Sequence, residues 1–179
     1  MKRKLNEIDQ HTYKEWSLSI AKLLTASQLW KDSKVIGMTV SKVPEVNTIQ
    51  LIEHAWKEGK EVCVPKCHPS AKTMTFRKIT SFDQLEVVYY GLKEPREQIT
   101  KEVNKEEIDL LLVPGLMYSE NGYRLGFGGG YYDRYLKDYN HLTCSLAFPI
   151  QLVDDLPIEP FDLPVQYIFT NERVIHCGN

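Results

Sequence analysis

Residues 108–113 read Ile-Asp-Leu-Leu-Leu-Val, and the run then halts at Pro114-Gly115. It is too short for an ordinary helix and too apolar for a strand with one wet face. It predicts a strand buried on both faces at the centre of a parallel sheet. Such a sheet must be covered above and below by helices, and the rest of the chain supplies them. Residues 34–40 (KVIGMTV) read as a second buried strand, residues 48–58 as a helix stopped by Gly59, and residues 61–64 as a third strand. At that spacing the three make a right-handed βαβ unit. Residues 8–30 set Ile8, Tyr13, Trp16, Ile20, Leu23 and Leu24 at helical spacing, and residues 131–139 read as a further helix. Residues 73–79 alternate like a half-exposed strand, and residues 142–148 and 165–170 complete the strand set. Residues 91–104 are polar and predict an irregular segment. With no repeat and no linker, the expectation is one α/β domain over residues 1–179: three layers, with a mostly parallel sheet flanked by helices.

Composition narrows the function classes. Twenty-two basic against 24 acidic residues give a net charge of −2 and a pI near 6.2. That balance argues against nucleic acid as a partner, which calls for a basic stripe, and leaves room for a small basic pocket. The N-terminus MKRKLNEIDQH is polar. No apolar run approaches the roughly 18 residues of a membrane span. Cys63, Cys67, Cys144 and Cys177 are therefore expected to be free thiols in a reducing cytoplasm. The segment CVPKCH (residues 63–68) has Cys-x3-Cys spacing, but no second pair stands at zinc-site spacing.

The segment RLGFGGGYYDRYL (residues 124–136) holds four glycines in five positions. Glycine in an element interior costs roughly 0.5–1 kcal/mol relative to alanine, so the run needs a local cause. It lies beyond the C-terminal end of the central strand, where open α/β sheets bind ligands. Gly126, Gly128, Gly129 and Gly130 would offer bare N–H groups and a helix N-terminus to an anion, with Arg124 adding a guanidinium fork. Asp133 would cap the helix or hold Mg²⁺. The alternative is a tight packing loop with Tyr131 and Tyr132 in the core. The run matches neither the dinucleotide fingerprint nor the P-loop.

Residues 113–136, VPGLMYSENGYRLGFGGGYYDRYL, resemble the signature of the 5-formyltetrahydrofolate cyclo-ligase (5,10-methenyltetrahydrofolate synthetase) family. The likeness continues in PEVNT (44–48), VCVPK (62–66), MTF (74–76), GLKEP (91–95) and FDLPVQYIFT (161–170). The resemblance implies an enzyme that uses ATP and Mg²⁺ to cyclise 5-formyltetrahydrofolate, with or without a polyglutamate tail, to the 5,10-methenyl form, releasing ADP and phosphate. It further implies that Arg124, Leu125, Gly126, Phe127, Gly128, Gly129, Gly130, Tyr131 and Tyr132 form the nucleotide loop, with Arg124 and Tyr131 catalytic. Phe127 to Tyr131 would also lie near the folate. Val40, Glu45 and Met74 would line the pterin pocket, with Glu45 on its N–H edge, and Asp133 and Asp162 would be the Mg²⁺ carboxylates. Lys2 and Leu5 match part of a basic N-terminal helix motif, but Asn6 stands in place of its arginine. Counting back from Trp30 gives another register, in which the basic motif would precede Met1. Phe127 stands where some members have arginine, and Asn47 where an acid is common. Two other readings stay open: a sugar-phosphate isomerase-like enzyme, and a non-catalytic folate- or nucleotide-binding protein.

Overall fold

A computed structural model describes residues 1–178. The chain opens with a short helix, α1 (Lys2–Asn6), followed by α2 (Gln10–Ala26) and α3 (Gln28–Asp32). The single helix expected over residues 8–30 is thus broken at Ser27. That residue is extended (φ −71°, ψ 156°), and its hydroxyl accepts from Trp30 N–H at 3.3 Å. A serine that caps a second helix is better satisfied there than inside one continuous helix. Asp9 caps α2 in the same way, its Oδ1 accepting from His11 and Thr12 N–H at 3.0 Å.

The βαβ unit forms as β1 (Val35–Gly37), α4 (Ile49–Lys57) and β2 (Glu61–His68), with β1 and β2 parallel. β2 runs past the expected stop at Val64. Pro65 is tolerated because β1 pairs only as far as Cys63, so only the antiparallel β3 (Thr73–Ile79) flanks the proline. Residues 91–104, expected to be irregular, contain two short strands. β5 (Lys93–Pro95) pairs with β4 (Leu85–Val87), and β6 (Lys101–Val103) forms the edge of the main sheet beside β3. Three-residue strands with wet faces carry no apolar run that periodicity could detect, and the charged edge of β6 discourages further pairing.

The central run forms β7 (Leu110–Leu112). β8 (Met117–Tyr118) and β9 (Arg124–Leu125) then make a hairpin that leads into α5 (Tyr131–Leu136). β10 (Leu142–Leu146), β11 (Tyr167–Phe169) and the antiparallel β12 (Val174–His176) complete the eight-stranded sheet, ordered β12-β11-β10-β7-β1-β2-β3-β6. Alternation along the strands sends Leu110, Leu112, Ile36 and Val62 to the α1–α4 face. Leu111, Val113, Cys63 and Ile168 go to the α5 face. Asp109, the polar residue of the central run, accepts from the N–H groups of Lys34 and Val35 at 2.7 and 2.8 Å, tying β7 to the start of β1.

From β1 the parallel sheet grows to β2 on one side and to β7 on the other, so a crevice opens at the C-terminal ends of β1 and β7. Close packing beneath it depends on Gly37, where a Cβ would lie 2.8 Å from Leu111 Cδ1 and 3.2 Å from Phe76 Cε1. Gly37→Ala should cost about 1–3 kcal/mol by overpacking, read as a lower urea midpoint with an unchanged slope. An unmoved midpoint would mean that the sheet relaxes freely around the added methyl.

Candidate active site

The crevice is lined on one side by Thr39, Ser41 and Glu45 from the segment after β1. Leu112, Val113, Pro114 and Gly115 line it from the end of β7, with Tyr118 and Gln151 adding to the wall. It is narrow, with a cavity volume of about 40 Å³. Hydrogen bonds fix its rim. Ser41 N–H donates to Thr48 Oγ1 and Thr48 N–H to Ser41 Oγ, each at 2.9 Å, while Thr48 Oγ1 donates to Thr39 O at 2.6 Å. Tyr13 of α2 donates its hydroxyl to Glu45 O at 2.9 Å. Gln151 Nε2 donates to Gly115 O and Leu116 O at 3.3 and 3.2 Å, holding the Pro-Gly turn in place. The Glu45 carboxylate accepts only a long contact from Lys42 N–H at 3.4 Å. Burial raises its pKa above the ordinary range, against the smaller opposing pull of Lys42. Val40, in contrast, is buried in the core on the α1–α4 face.

On the other flank, the β8–β9 hairpin turns at Gly122 (φ +88°), where a Cβ would sit 2.2 Å from Val165 O. Arg124 follows on β9, and its side chain is only 3% exposed. Its guanidinium points inward: Nη1 donates to Leu163 O at 2.7 Å and Nη2 to Asp133 Oδ1 at 2.9 Å. The same Oδ1 accepts from Leu163 N–H at 3.4 Å. The expected phosphate fork is therefore engaged as a brace that joins β9, α5 and the segment before β11.

The glycine run divides by physical cause. A Cβ on Gly129 would meet the Tyr131 ring at 2.6 Å, so that glycine makes room for packing. Gly128 (φ +91°) and Gly130 (φ +61°) take left-handed torsions. Around Gly126 and Gly128 nothing lies within 4 Å of the place a Cβ would occupy, and residues 126–130 are exposed. The packing-loop alternative fails at these two positions. α5 has six residues, too short for much macrodipole, so an anion site here would rest on the loop's own amides. Phe127 is 54% exposed, and Lys2 Nζ of α1 lies 5.8 Å from its ring centroid. Lys2 is thereby brought to the loop.

The remaining expected residues are spread around this centre. Tyr131 and the buried Met74 line a second cleft with Phe76, Lys105, Arg134 and Tyr135, on the face opposite Val40. Tyr132 packs on that same face, its hydroxyl buried without a hydrogen-bond partner. Burial is the main cause that raises its pKa, ahead of the charges of Cys67 and Glu45, while Arg124 opposes the rise. Leu125 pairs with Met117 and accepts from Leu116 N–H at 2.7 Å. Asp162 precedes the Leu163 that contacts Asp133, but its Oδ2 accepts from Glu159 N–H at 2.8 Å in a turn. Tyr118 and Gln151 escaped the sequence reading: Tyr118 lies inside the quoted signature without a role assigned to it, and Gln151 carries no motif. Their proximity to the Pro114-Gly115 stop was the available signal.

Among the described residues there is no cluster of three or more metal-ligating side chains. Asp133 and Asp162, next to a loop suited to phosphates, fit Mg²⁺, which keeps waters and phosphate oxygens as ligands. They do not fit a zinc centre. No histidine lines the crevice, which removes one base expected of an isomerase.

Comparison with known proteins places the chain in a family. The model of the 5-formyltetrahydrofolate cyclo-ligase family matches residues 1–171. The 5-formyltetrahydrofolate cyclo-ligase of Escherichia coli K12 is 36% identical over 136 residues, 73% of this chain and 74% of that protein. The mouse 5-formyltetrahydrofolate cyclo-ligase is 27% identical over 179 residues, 94% of this chain and 88% of that one. The solution structure of Aquifex aeolicus 5,10-methenyltetrahydrofolate synthetase superposes with a TM-score of 0.87 at 30% identity. It covers 99% of this chain and 89% of that chain. The chain belongs to the 5-formyltetrahydrofolate cyclo-ligase family.

Proposed function

We propose that this chain is an ATP- and Mg²⁺-dependent 5-formyltetrahydrofolate cyclo-ligase, acting as one domain over residues 1–179 in the cytoplasm on folates with or without a polyglutamate tail. The observation that carries the reading is the open space around Gly126 and Gly128, beside a crevice walled by a desolvated carboxylate. A formamide carbonyl is a poor electrophile because its nitrogen donates into it. Transfer of the terminal phosphoryl group to the formyl oxygen makes that oxygen a leaving group. N10 then attacks the formyl carbon and gives its proton to water, the C–O bond breaks, and phosphate leaves as the ring closes to a methenyl cation shared by N5 and N10.

Phosphoryl transfer asks the protein mainly for position and charge. The amides of residues 126–130 suit the triphosphate, with Lys2 on the loop's outer side. Arg124 and the rings of Tyr131 and Tyr132 fix the loop's base, so that Arg124 acts by positioning Asp133. Mg²⁺, when bound through Asp133 and Asp162, would neutralise phosphate charge. Glu45 suits the pterin's N–H edge as a bidentate acceptor, with Val40 behind it. Met74 and Tyr131 suit the remainder of the folate.

The methenyl chromophore should appear from 5-formyltetrahydrofolate only when ATP is supplied; equal turnover without ATP would remove the reading. Gly126→Ala has an ordinary φ and open space, so thermal stability should hold. Crowding one charge-assisted hydrogen bond should raise the KM for ATP by about 10- to 100-fold, and an unchanged KM would mean that no phosphate approaches this amide.

Glu45 gives a pH test with opposed readouts. Its folded pKa is raised, so the protonated form carries the stability, and that stability is lost as pH climbs from the ordinary value of 4.5 through the folded value. Glu45→Gln should therefore raise the Tm of the ligand-free protein at pH 7, with the gain vanishing below about pH 4.5. The same variant should bind folate more weakly. A lower Tm at pH 7 would show that the carboxylate is stabilised rather than strained.

A further inference from the structure

Arg124 directs its charge to Asp133, but a second guanidinium touches the glycine loop. Arg134 stands one turn into α5 and folds back over the run. Its Nη2 donates to Gly129 O at 2.5 Å and its Nε to Lys72 O at 2.7 Å. Lys72 closes the turn between β2 and β3, with φ +53° and its N–H donating to Pro69 O at 3.2 Å. The guanidinium carbon lies 5.4 Å from the centroid of the Tyr131 ring, a cation–π distance. A Cβ on Gly130 would sit 3.0 Å from Arg134 Nη1, so that glycine also keeps room for the guanidinium. Arg134 takes part in no ion pair among the described residues. Its fork holds main-chain carbonyls instead, from two segments far apart in sequence.

We propose that Arg134 is the positioning residue that clamps the glycine loop onto the β2–β3 turn and so preforms the amides that bind the nucleotide's phosphates. The nucleotide half of the inference rests on the cyclo-ligase reading; the clamp itself does not. Arg124 braces the start of the loop against α5 through Asp133. Between those anchors nothing crowds Gly126 or Gly128. Among the described residues, Gly129 O is the only carbonyl of residues 126–130 that accepts from a side chain. A loop that samples many conformations binds in proportion to its competent fraction. A clamp at Gly129 raises that fraction before the ligand arrives. Two charge-assisted bonds suit the task, because the planar fork fixes direction as well as distance.

The test compares Arg134→Ala and Arg134→Lys with the wild type in two measurements. The first is chymotrypsin cleavage of the ligand-free protein, with fragments identified by mass. Phe127 is 54% exposed in the loop; Tyr90, 91% exposed in the β4–β5 connection, is the internal control. Arg134→Ala should speed cleavage after Phe127 about tenfold and leave cleavage after Tyr90 unchanged. Arg134→Lys keeps the charge without the fork and should give an intermediate rate. The second is calorimetric titration with ATP and Mg²⁺ in the absence of folate. There the Kd should rise about tenfold for the alanine variant and less for the lysine variant. Unchanged cleavage after Phe127 would show that the loop keeps its shape without Arg134. Equal acceleration at both sites would show general destabilisation, and faster cleavage with unchanged ATP affinity would part the clamp from the nucleotide. Full rescue of ATP binding by lysine, with cleavage still fast, would show that charge alone matters. Each of these overturns the proposal. Wild-type protein that binds no ATP would instead remove the cyclo-ligase reading, and the cleavage measurement would still decide the clamp.

Discussion

Burial of β1 and β7 on both faces is the constraint from which the remaining architecture follows. Ile36, Leu110 and Leu111 are wholly excluded from water, and Leu112 almost so. Each such side chain stabilises the fold by about 1.5–3 kcal/mol. Side chains cannot be apolar on both faces unless helices cover both, so α1–α4 lie on one side and α5 on the other. The parallel order also leaves β1 with successive partners on opposite sides. The segments that leave β1 and β7 therefore diverge, and no backbone fills the space between them. The crevice is a consequence of the strand order, and its chemistry comes from what those diverging segments carry.

The glycines show how one residue type meets several physical demands within a single fold. Gly37 exists because Leu111 and Phe76 leave no room, and Gly122 because Val165 O approaches its Cα. Gly59 ends α4 with φ +73° in open surroundings. Gly126 fits none of these causes, having neither a neighbour nor a left-handed torsion. A free backbone of this kind costs conformational entropy, and the Arg124 brace limits the cost by pinning both ends of the run. The result is a loop anchored at its roots and bare along its crest.

Legibility in the sequence followed burial. The βαβ unit and the strands of residues 73–79 and 142–146 were readable because apolar residues there outnumber alternatives at the right period. Ser27 was missed because its capping role depends on Trp30 turning inward to donate to Glu58 at 2.7 Å, a tertiary fact. Strands β4, β5 and β6 were missed because three-residue edges leave no periodic trace. In the site, residue types were legible and directions were not. Arg124 was recognisable as a cation beside a glycine run, yet charge alone says nothing about whether a guanidinium faces a ligand or the protein's own carboxylate. Tyr132 was visible as one of a tyrosine pair, while the isolation of its buried hydroxyl is a tertiary fact.

The N-terminal segment illustrates how weak local structure can still fix a functional group. A five-residue helix has no independent stability in water. α1 persists because Leu5 is buried in the core with Ile20, Leu24 and their neighbours, and that anchor carries Lys2 to the ring of Phe127. Arginine at position 127 would have set two cations against each other there, whereas an aromatic face attracts the lysine by about 0.5–1 kcal/mol at an exposed site. The loop of bare amides thus has a buried guanidinium at its root and an exposed ammonium beside its crest. The buried cation keeps the root in shape, and the exposed one leaves the amides between them open to the polyanion of the proposed reaction.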